Sequence, residues 1–193
     1  MANHWPAEGV ARVPFWVYSD PDLYAREQER IFRGPGWCYV ALAVELPRPG
    51  DFLRTAIGDR PVFVVRDERG ELSVLENRCA HRGLQLCTAP RGNARELVCP
   101  YHQWTYDLRG ALVGVPFLRG VKGQGGMPPD FRREDHGLRR LRVHERHGVV
   151  FASFDAETPP FEAFLGAEML RWFDRVFDGR ELVVLGYMRQ RII

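Results

Sequence analysis

Two short stretches carry one thiol and one imidazole each, in the same order: Cys79-Ala-His81-Arg-Gly83 and Cys99-Pro-Tyr-His102-Gln-Trp104. As spacing this is C-x-H-x17-C-x2-H. A chain with four soft or borderline ligands at two loop-sized sites must fold so that the loops meet. Two chemistries use such a set. A [2Fe–2S] cluster takes four protein ligands, two per iron, and in one variety two His replace two Cys on a single iron. Zinc takes two Cys and two His in a closed tetrahedron.

Zinc-finger spacing groups Cys with Cys and His with His. Here each loop mixes the types, so the order favours the Rieske-type [2Fe–2S] cluster over zinc. The expected ligands are Cys79 and Cys99 on one iron and His81 and His102 on the other. Neutral imidazoles remove negative charge from the cluster and make its reduction easier than in a four-Cys ferredoxin.

These residues, with the run Thr105-Tyr-Asp-Leu-Arg-Gly110 that follows, resemble the large (α) oxygenase subunit of Rieske non-haem iron aromatic-ring-hydroxylating oxygenases. The likeness runs through essentially the whole chain. Gln103-Trp104 and Gly114-Val-Pro-Phe-Leu-Arg-Gly-Val-Lys122 look closest to the large subunits of salicylate 5-hydroxylase and anthranilate dioxygenases; many relatives carry Gly where Gln103 stands. Respiratory and photosynthetic Rieske proteins place an extra, disulfide-forming Cys in each loop; Leu84 and Tyr101 occupy those places here.

The resemblance implies a mechanism. A ferredoxin or reductase component passes electrons to the cluster, which passes them to a mononuclear Fe(II) for O2-dependent hydroxylation of an aromatic, salicylate- or anthranilate-like compound in catabolism. His102 would be the exit ligand. It also implies a homotrimer or an α3β3 assembly with a small β subunit. No pair of His with flanking acids suited to the mononuclear iron occurs in the sequence, so that Fe(II) is expected in a missing C-terminal domain, and the chain is expected to be a truncated or excised piece. The alternative is a stand-alone Rieske-type ferredoxin, which would need neither the N-terminal arm nor the late aromatic helix.

Length and composition set the remaining bounds. At 193 residues the chain holds one core with extensions. Its net charge of +2 gives no sign of a nucleic-acid or membrane partner. No run approaches the ~20 apolar residues of a membrane span, and the start Met1-Ala-Asn-His-Trp-Pro does not read as a secretory signal. Cys38 reads as a buried small hydrophobe and Cys87 has no evident partner, a reduced, cytoplasmic pattern.

The fold expected is mostly β: a small antiparallel Rieske-type domain with two cluster-binding loops, flanked by helical segments that belong to a missing catalytic domain. Residues 1–36 read as an extended arm and a helix from Pro21 to about Arg33, with an N-cap at Ser19-Asp20. Residues 37–155 alternate short β-rich runs with turn signals, as 37–42, 51–57, 61–66, 72–76, 96–98, 104–108, 111–113, 138–144 and 149–154. Residues 114–136 read as a long surface loop. Residues 156–193 begin the catalytic domain, with a helix over 161–177 rich in aromatics and a new strand at 181–185.

Several residues near the cluster loops have expected roles. Trp104 and Tyr101 would shield the cluster from water, and Gly83 would permit close backbone approach. Arg78, Arg82, Arg91 and Arg95 could dock an acidic ferredoxin; solvated surface is the preferred reading for Arg91 and Arg95, and Arg82 is the stronger functional candidate. His136, His144 and His147 read as surface or structural residues.

Overall fold

A computed structural model describes residues 4–7, 9–177 and 179–187. The readings at Met1-Ala-Asn and at the Ile193 end lie outside the described residues. After an N-terminal arm with two 3-10 turns, helix α1 (Pro21–Glu27) begins where the Asp20 carboxylate accepts the N–H groups of Asp22 and Leu23 (2.9 and 3.0 Å). This satisfies two orphan donors, with Pro21 pre-set for the first turn. The helix runs on as a π-helical turn, Gln28–Phe32. Buried Gln28 there accepts the Asp59 N–H (2.7 Å), which docks the helix on the β domain.

Ten strands follow among the described residues: β1 (Cys38–Leu42), β2 (Asp51–Ile57), β3 (Arg60–Arg66), β4 (Leu72–Glu76), β5 (Arg91–Asn93), β6 (Leu97–Val98), β7 (Thr105–Tyr106), β8 (Leu112–Gly114), β9 (Arg142–Arg146) and β10 (Val149–Ser153). They form three antiparallel sheets ordered β1-β10-β9, β4-β3-β2-β5 and β6-β7-β8. The expected fold class, mostly β and antiparallel, is the one observed. β5 was not foreseen; its Arg-Gly-Asn sequence has low strand propensity and is recruited by pairing with β2. The run expected to start at 138 splits instead. Residues 139–141 hydrogen-bond to the edge of β4, and the chain then moves to β9 beside β10.

β3 organises the interior. Its side chains alternate between faces, so Val62 and Val64 join one core with Val40, Leu46, Ile57 and Val150, while Phe63 and Val65 join a second core. That two-sided burial is why the strand reads as an unbroken apolar run. The second core contains Cys79, Cys99, Trp104 and Tyr106, so the thiols stand on the packed side of the central sheet.

Two turns of the same pattern fix the sheets to one another. Asp67-Glu-Arg-Gly70 and Asp107-Leu-Arg-Gly110 each use an Asp side chain to accept N–H groups two and four residues on, and each ends on a left-handed Gly. Arg109 of the second turn donates to Asp67 (2.6 Å) and Glu71 (3.0 Å) of the first.

The loop 114–136 is long and turn-rich, as expected, and folds back through Met127 and Phe131 onto the second core. Helix α2 (Phe161–Phe177) breaks at Gly166, whose φ is 73°. It packs on β9 and β10 through buried Phe161 and half-buried Phe173, and Arg146 holds Asp174 with two bonds (2.7 and 2.5 Å). The strand expected at 181–185 is absent: residues 181–187 have no regular structure, although Val183 and Val184 line a hollow with the edge strand β5. Instead the Tyr187 hydroxyl donates to Glu45 (2.7 Å). No helix among the described residues is long and apolar enough to cross a membrane.

Candidate metal centre

Each Cys opens a loop closed by the same two backbone bonds. The Cys79 N–H donates to the Leu84 carbonyl, and the Gly83 N–H donates to the Cys79 carbonyl (both 2.8 Å). The Cys99 N–H donates to the Trp104 carbonyl, and the Gln103 N–H donates to the Cys99 carbonyl (both 2.9 Å). The second loop is the tip of the β6–β7 hairpin. The first follows β4 but is not a hairpin tip, since the next strand, β5, pairs with β2.

The loops meet. Cys79 and Cys99 are both buried and free, and close enough to interact. The His81 and His102 rings lie 4.7 Å apart, inclined at 66°. All four sequence-predicted ligands are therefore neighbours. Burial pushes the Cys79 thiol up, against a lowering pull from the Tyr106 hydroxyl and the His81 N–H. Burial, with His102 and Arg82 nearby, holds His81 below its ordinary value, in the neutral form that a metal ligand needs.

One atom tests the fit of a cluster here. His81 Nδ1 is buried with no hydrogen-bond partner, which would be costly unless the lone pair is otherwise engaged. Two buried thiols and an orphaned imidazole nitrogen fit a mixed Cys/His cluster. Among the described residues, no three of His, Cys, Asp and Glu gather as one ion would require. A two-iron cluster asks for two protein donors per iron.

Aromatic rings surround the imidazoles unequally. Trp104, 4% exposed, stacks on His81 at 4.7 Å and 12°. Phe131 and His136, themselves stacked at 4.6 Å, contact the far edges of Trp104. Tyr101 tilts against His102 at 3.7 Å but is 57% exposed, so it covers one face only.

Two residues essential to this geometry carried no expected role. Asn77, completely buried, accepts the N–H groups of Leu86 and Cys87 (2.9 and 3.0 Å) and donates to the Cys87 carbonyl (2.7 Å). It cross-braces the first loop, and buried Cys87 is its partner. The Tyr106 hydroxyl lies 3.2 Å from Cys79 Sγ and accepts the Ala80 N–H (3.2 Å), which leaves its own proton for the thiol sulfur. Burial and the neighbouring Cys79 push its phenol well above the ordinary value. The only sequence signal for either was a polar group inside an apolar pattern beside a ligand.

The remaining candidates separate. His144 stacks on Phe161 (4.4 Å) and His147 lies 3.1 Å from Asp174, both as structural residues. Cys38 is half-buried rather than buried. Arg91 is engaged by Glu45 (3.8 Å) and by the Tyr187 ring (4.3 Å), away from the loops. Arg95 lines a polar depression with Asp67 and Asp107.

Comparison with known proteins agrees with this geometry. Residues 36–124 match the Rieske [2Fe-2S] domain family. The chain is 58% identical over 192 residues to the large oxygenase component of salicylate 5-hydroxylase from Ralstonia sp, covering 97% of this chain and 45% of that protein. It is 52% identical to the anthranilate 1,2-dioxygenase large subunit of Burkholderia cepacia, covering 97% and 44%. A crystal structure of naphthalene 1,2-dioxygenase from Rhodococcus sp. superposes with a TM-score of 0.74 at 35% identity, over 85% of this chain and 36% of that one. The chain thus spans less than half the length of these relatives. It carries a Rieske [2Fe–2S] domain and belongs to the large-subunit family of Rieske aromatic-ring-hydroxylating oxygenases, matching their Rieske-bearing portion.

Proposed function

We propose that this chain is the electron-relay portion of an aromatic-ring-hydroxylating oxygenase, with Cys79 and Cys99 holding one iron of a Rieske cluster and His81 and His102 the other. The observation that carries the reading is the convergence of these four side chains from two loops with matching backbone closure. Bound there, the cluster supplies one-electron transfer between a ferredoxin or reductase component and a mononuclear Fe(II), which the reading places in a domain outside this sequence. The substrate is an aromatic acid of the salicylate or anthranilate type, and the assembly a homotrimer or α3β3. The units are an arm and helix over 1–36, the Rieske domain over 37–155, and the beginning of the catalytic domain over 156–193.

The chain's own groups have definite tasks in this reading. The Tyr106 hydroxyl and the His81 N–H donate toward Cys79 and favour its thiolate. Trp104 fixes the plane of His81 and keeps water from it. His102, covered by Tyr101 on one face, offers the more open imidazole to a neighbouring carboxylate. A free-standing ferredoxin fits less well, because the similarity to oxygenase large subunits extends over 97% of the chain, including α1 and α2.

Absorption and EPR spectra before and after dithionite test the proposal. A red-brown protein whose reduced form gives a rhombic signal of low average g is the expected result. A colourless protein that holds zinc through the same four residues would overturn it.

A further inference from the structure

The loop over 114–136 is longer than the join between two strands requires, and loops of that length inside a compact domain are uncommon without a task. Its second half is closed on itself and tied to β8. The Met127 N–H donates to the Leu118 carbonyl and the Phe131 N–H to the Pro128 carbonyl (both 3.0 Å). Arg133 donates to the Val113 carbonyl in β8 (2.8 Å), and the Leu138 N–H donates to the Gly110 carbonyl in the turn before it (2.7 Å).

What this anchoring holds is a pair of rings. Phe131 and His136 are half-buried and stacked at 4.6 Å and 9°. Both stand nearly perpendicular to Trp104, Phe131 at 5.8 Å and 73°, His136 at 5.7 Å and 76°. Trp104 in turn lies flat on His81, at 4.7 Å and 12°. Three layers therefore lead from the loop to the imidazole: a stacked pair, an indole set across it, and the His81 ring parallel to the indole. Such contacts are directional, because ring edges are positive and ring faces negative. A rotation of the His81 ring would have to displace Trp104, whose place two rings hold at once. The His81 atom whose direction this sets is Nδ1, the buried nitrogen without a hydrogen-bond partner.

We propose that Phe131 and His136 are positioning residues for the electron relay: a ring clamp that, through Trp104, holds the plane of His81 and keeps water from that side of the centre. The inference rests on the electron-relay reading, and it makes the ring of His136 its working part. Opening the clamp has a definite sign. The reduced centre carries one more negative charge than the oxidised one, and water stabilises that charge, so wetter surroundings raise the potential.

The test combines EPR-monitored redox titration of the full, cluster-loaded chain with hydroxyl-radical footprinting of Trp104, read by mass spectrometry. In Phe131→Ala and His136→Ala the redox equilibrium should shift about threefold or more toward reduction, which is about 28 mV at 59 mV per tenfold. Labelling of Trp104 should increase in the same two variants. His136→Phe keeps a ring in the clamp and should hold both readings at those of the unaltered chain. Val40→Ala, in the other core, lowers stability without touching the clamp and should move Tm alone. A His136→Ala chain with unchanged potential and labelling would overturn the proposal. So would a Val40→Ala chain that shifts as far as His136→Ala, which reports general loosening. A His136→Phe chain that shifts as His136→Ala does would overturn it too, since the effect would then belong to the imidazole nitrogens. A colourless unaltered chain is instead a failure of the electron-relay reading, and Trp104 labelling then decides the clamp by itself.

Discussion

The two loops of the candidate centre are the same turn built from different materials. In both, the N–H of the Cys reaches the carbonyl five residues on, and the residue four places on is left-handed and donates back to the Cys carbonyl. That residue is Gly83 at φ 74° in the first loop and Gln103 at φ 56° in the second. The supports differ. The first loop spans between sheet edges and is braced by a buried side chain, Asn77; the second is closed by the β6–β7 hairpin. The imidazole also stands one residue later in the second loop. Backbone closure therefore fixes the loop shape, and ligand spacing varies within it.

Six substitutions, one of them followed through a pH series, probe that comparison. The largest effect is expected from Cys79→Ser or Cys99→Ser. If the loops contribute equally to one cluster, either change abolishes the visible absorption, and retention of colour in one of them breaks the equivalence. Next is Asn77→Ala, which leaves two N–H groups and a carbonyl of the first loop unpaired. It should cost about 3 kcal/mol, a fall in Tm of roughly 6–12 °C, whereas the second loop, among the described residues, has one bond of this kind, from the Thr105 hydroxyl to the Gln103 carbonyl (3.2 Å).

The Arg109–Asp67 link ties together the sheets on which the two loops stand. Burial alone would raise the Asp67 carboxyl; hydrogen bonds from Arg109 and from the Glu71 and Arg69 N–H groups hold it below the ordinary range instead. A depressed carboxyl contributes stability that is full above its unfolded value near ~3.9 and is lost as pH falls through the folded value. Thermal melts should therefore lose Tm below about pH 4, and Asp67→Asn should flatten that dependence while lowering Tm at neutral pH.

Smaller still is Tyr106→Phe, which removes the hydroxyl that donates to the Cys79 sulfur and accepts the Ala80 N–H. The potential, read by EPR-monitored redox titration, should fall by roughly 20–60 mV, the one-electron equivalent of a hydrogen bond of about 0.5–1.5 kcal/mol. The smallest effect is a gain. Gln103→Gly removes the left-handed penalty at some entropic cost, a net stabilisation of about 0.5–1 kcal/mol with unchanged colour. A loss of stability there would show that the Gln103 side chain supports the second loop in a way the first does without.

The four proposed ligands could be singled out from the sequence because ligand chemistry restricts residue type and spacing together. Most strands were legible too, since apolar runs and turn residues mark them locally. What escaped depended on contacts distant in sequence. β5 is a strand only because β2 offers an edge, and the valine-rich 181–185 forms no ladder although Val183 and Val184 share a hollow with β5. Asn77 looked like one more polar loop residue until the fold brought the Leu86 and Cys87 backbone to it. The left-handed geometry of Gln103 was hidden by its residue type, although Gly83 announced the same position in the first loop.

The loop-closing hydrogen bonds have a kinetic consequence. A centre that gains and loses charge is slowed by every atom that must move in response. Among the described residues, the dipoles on the Cys79 sulfur are the His81 N–H, in a turn closed by two backbone bonds, and the hydroxyl of fully buried Tyr106. Such dipoles are oriented in advance and cannot swing as water does. In the proposed reading, the surroundings of Cys79 are thus arranged for a small structural reorganisation with each electron, and speed follows from stiffness more than from driving force.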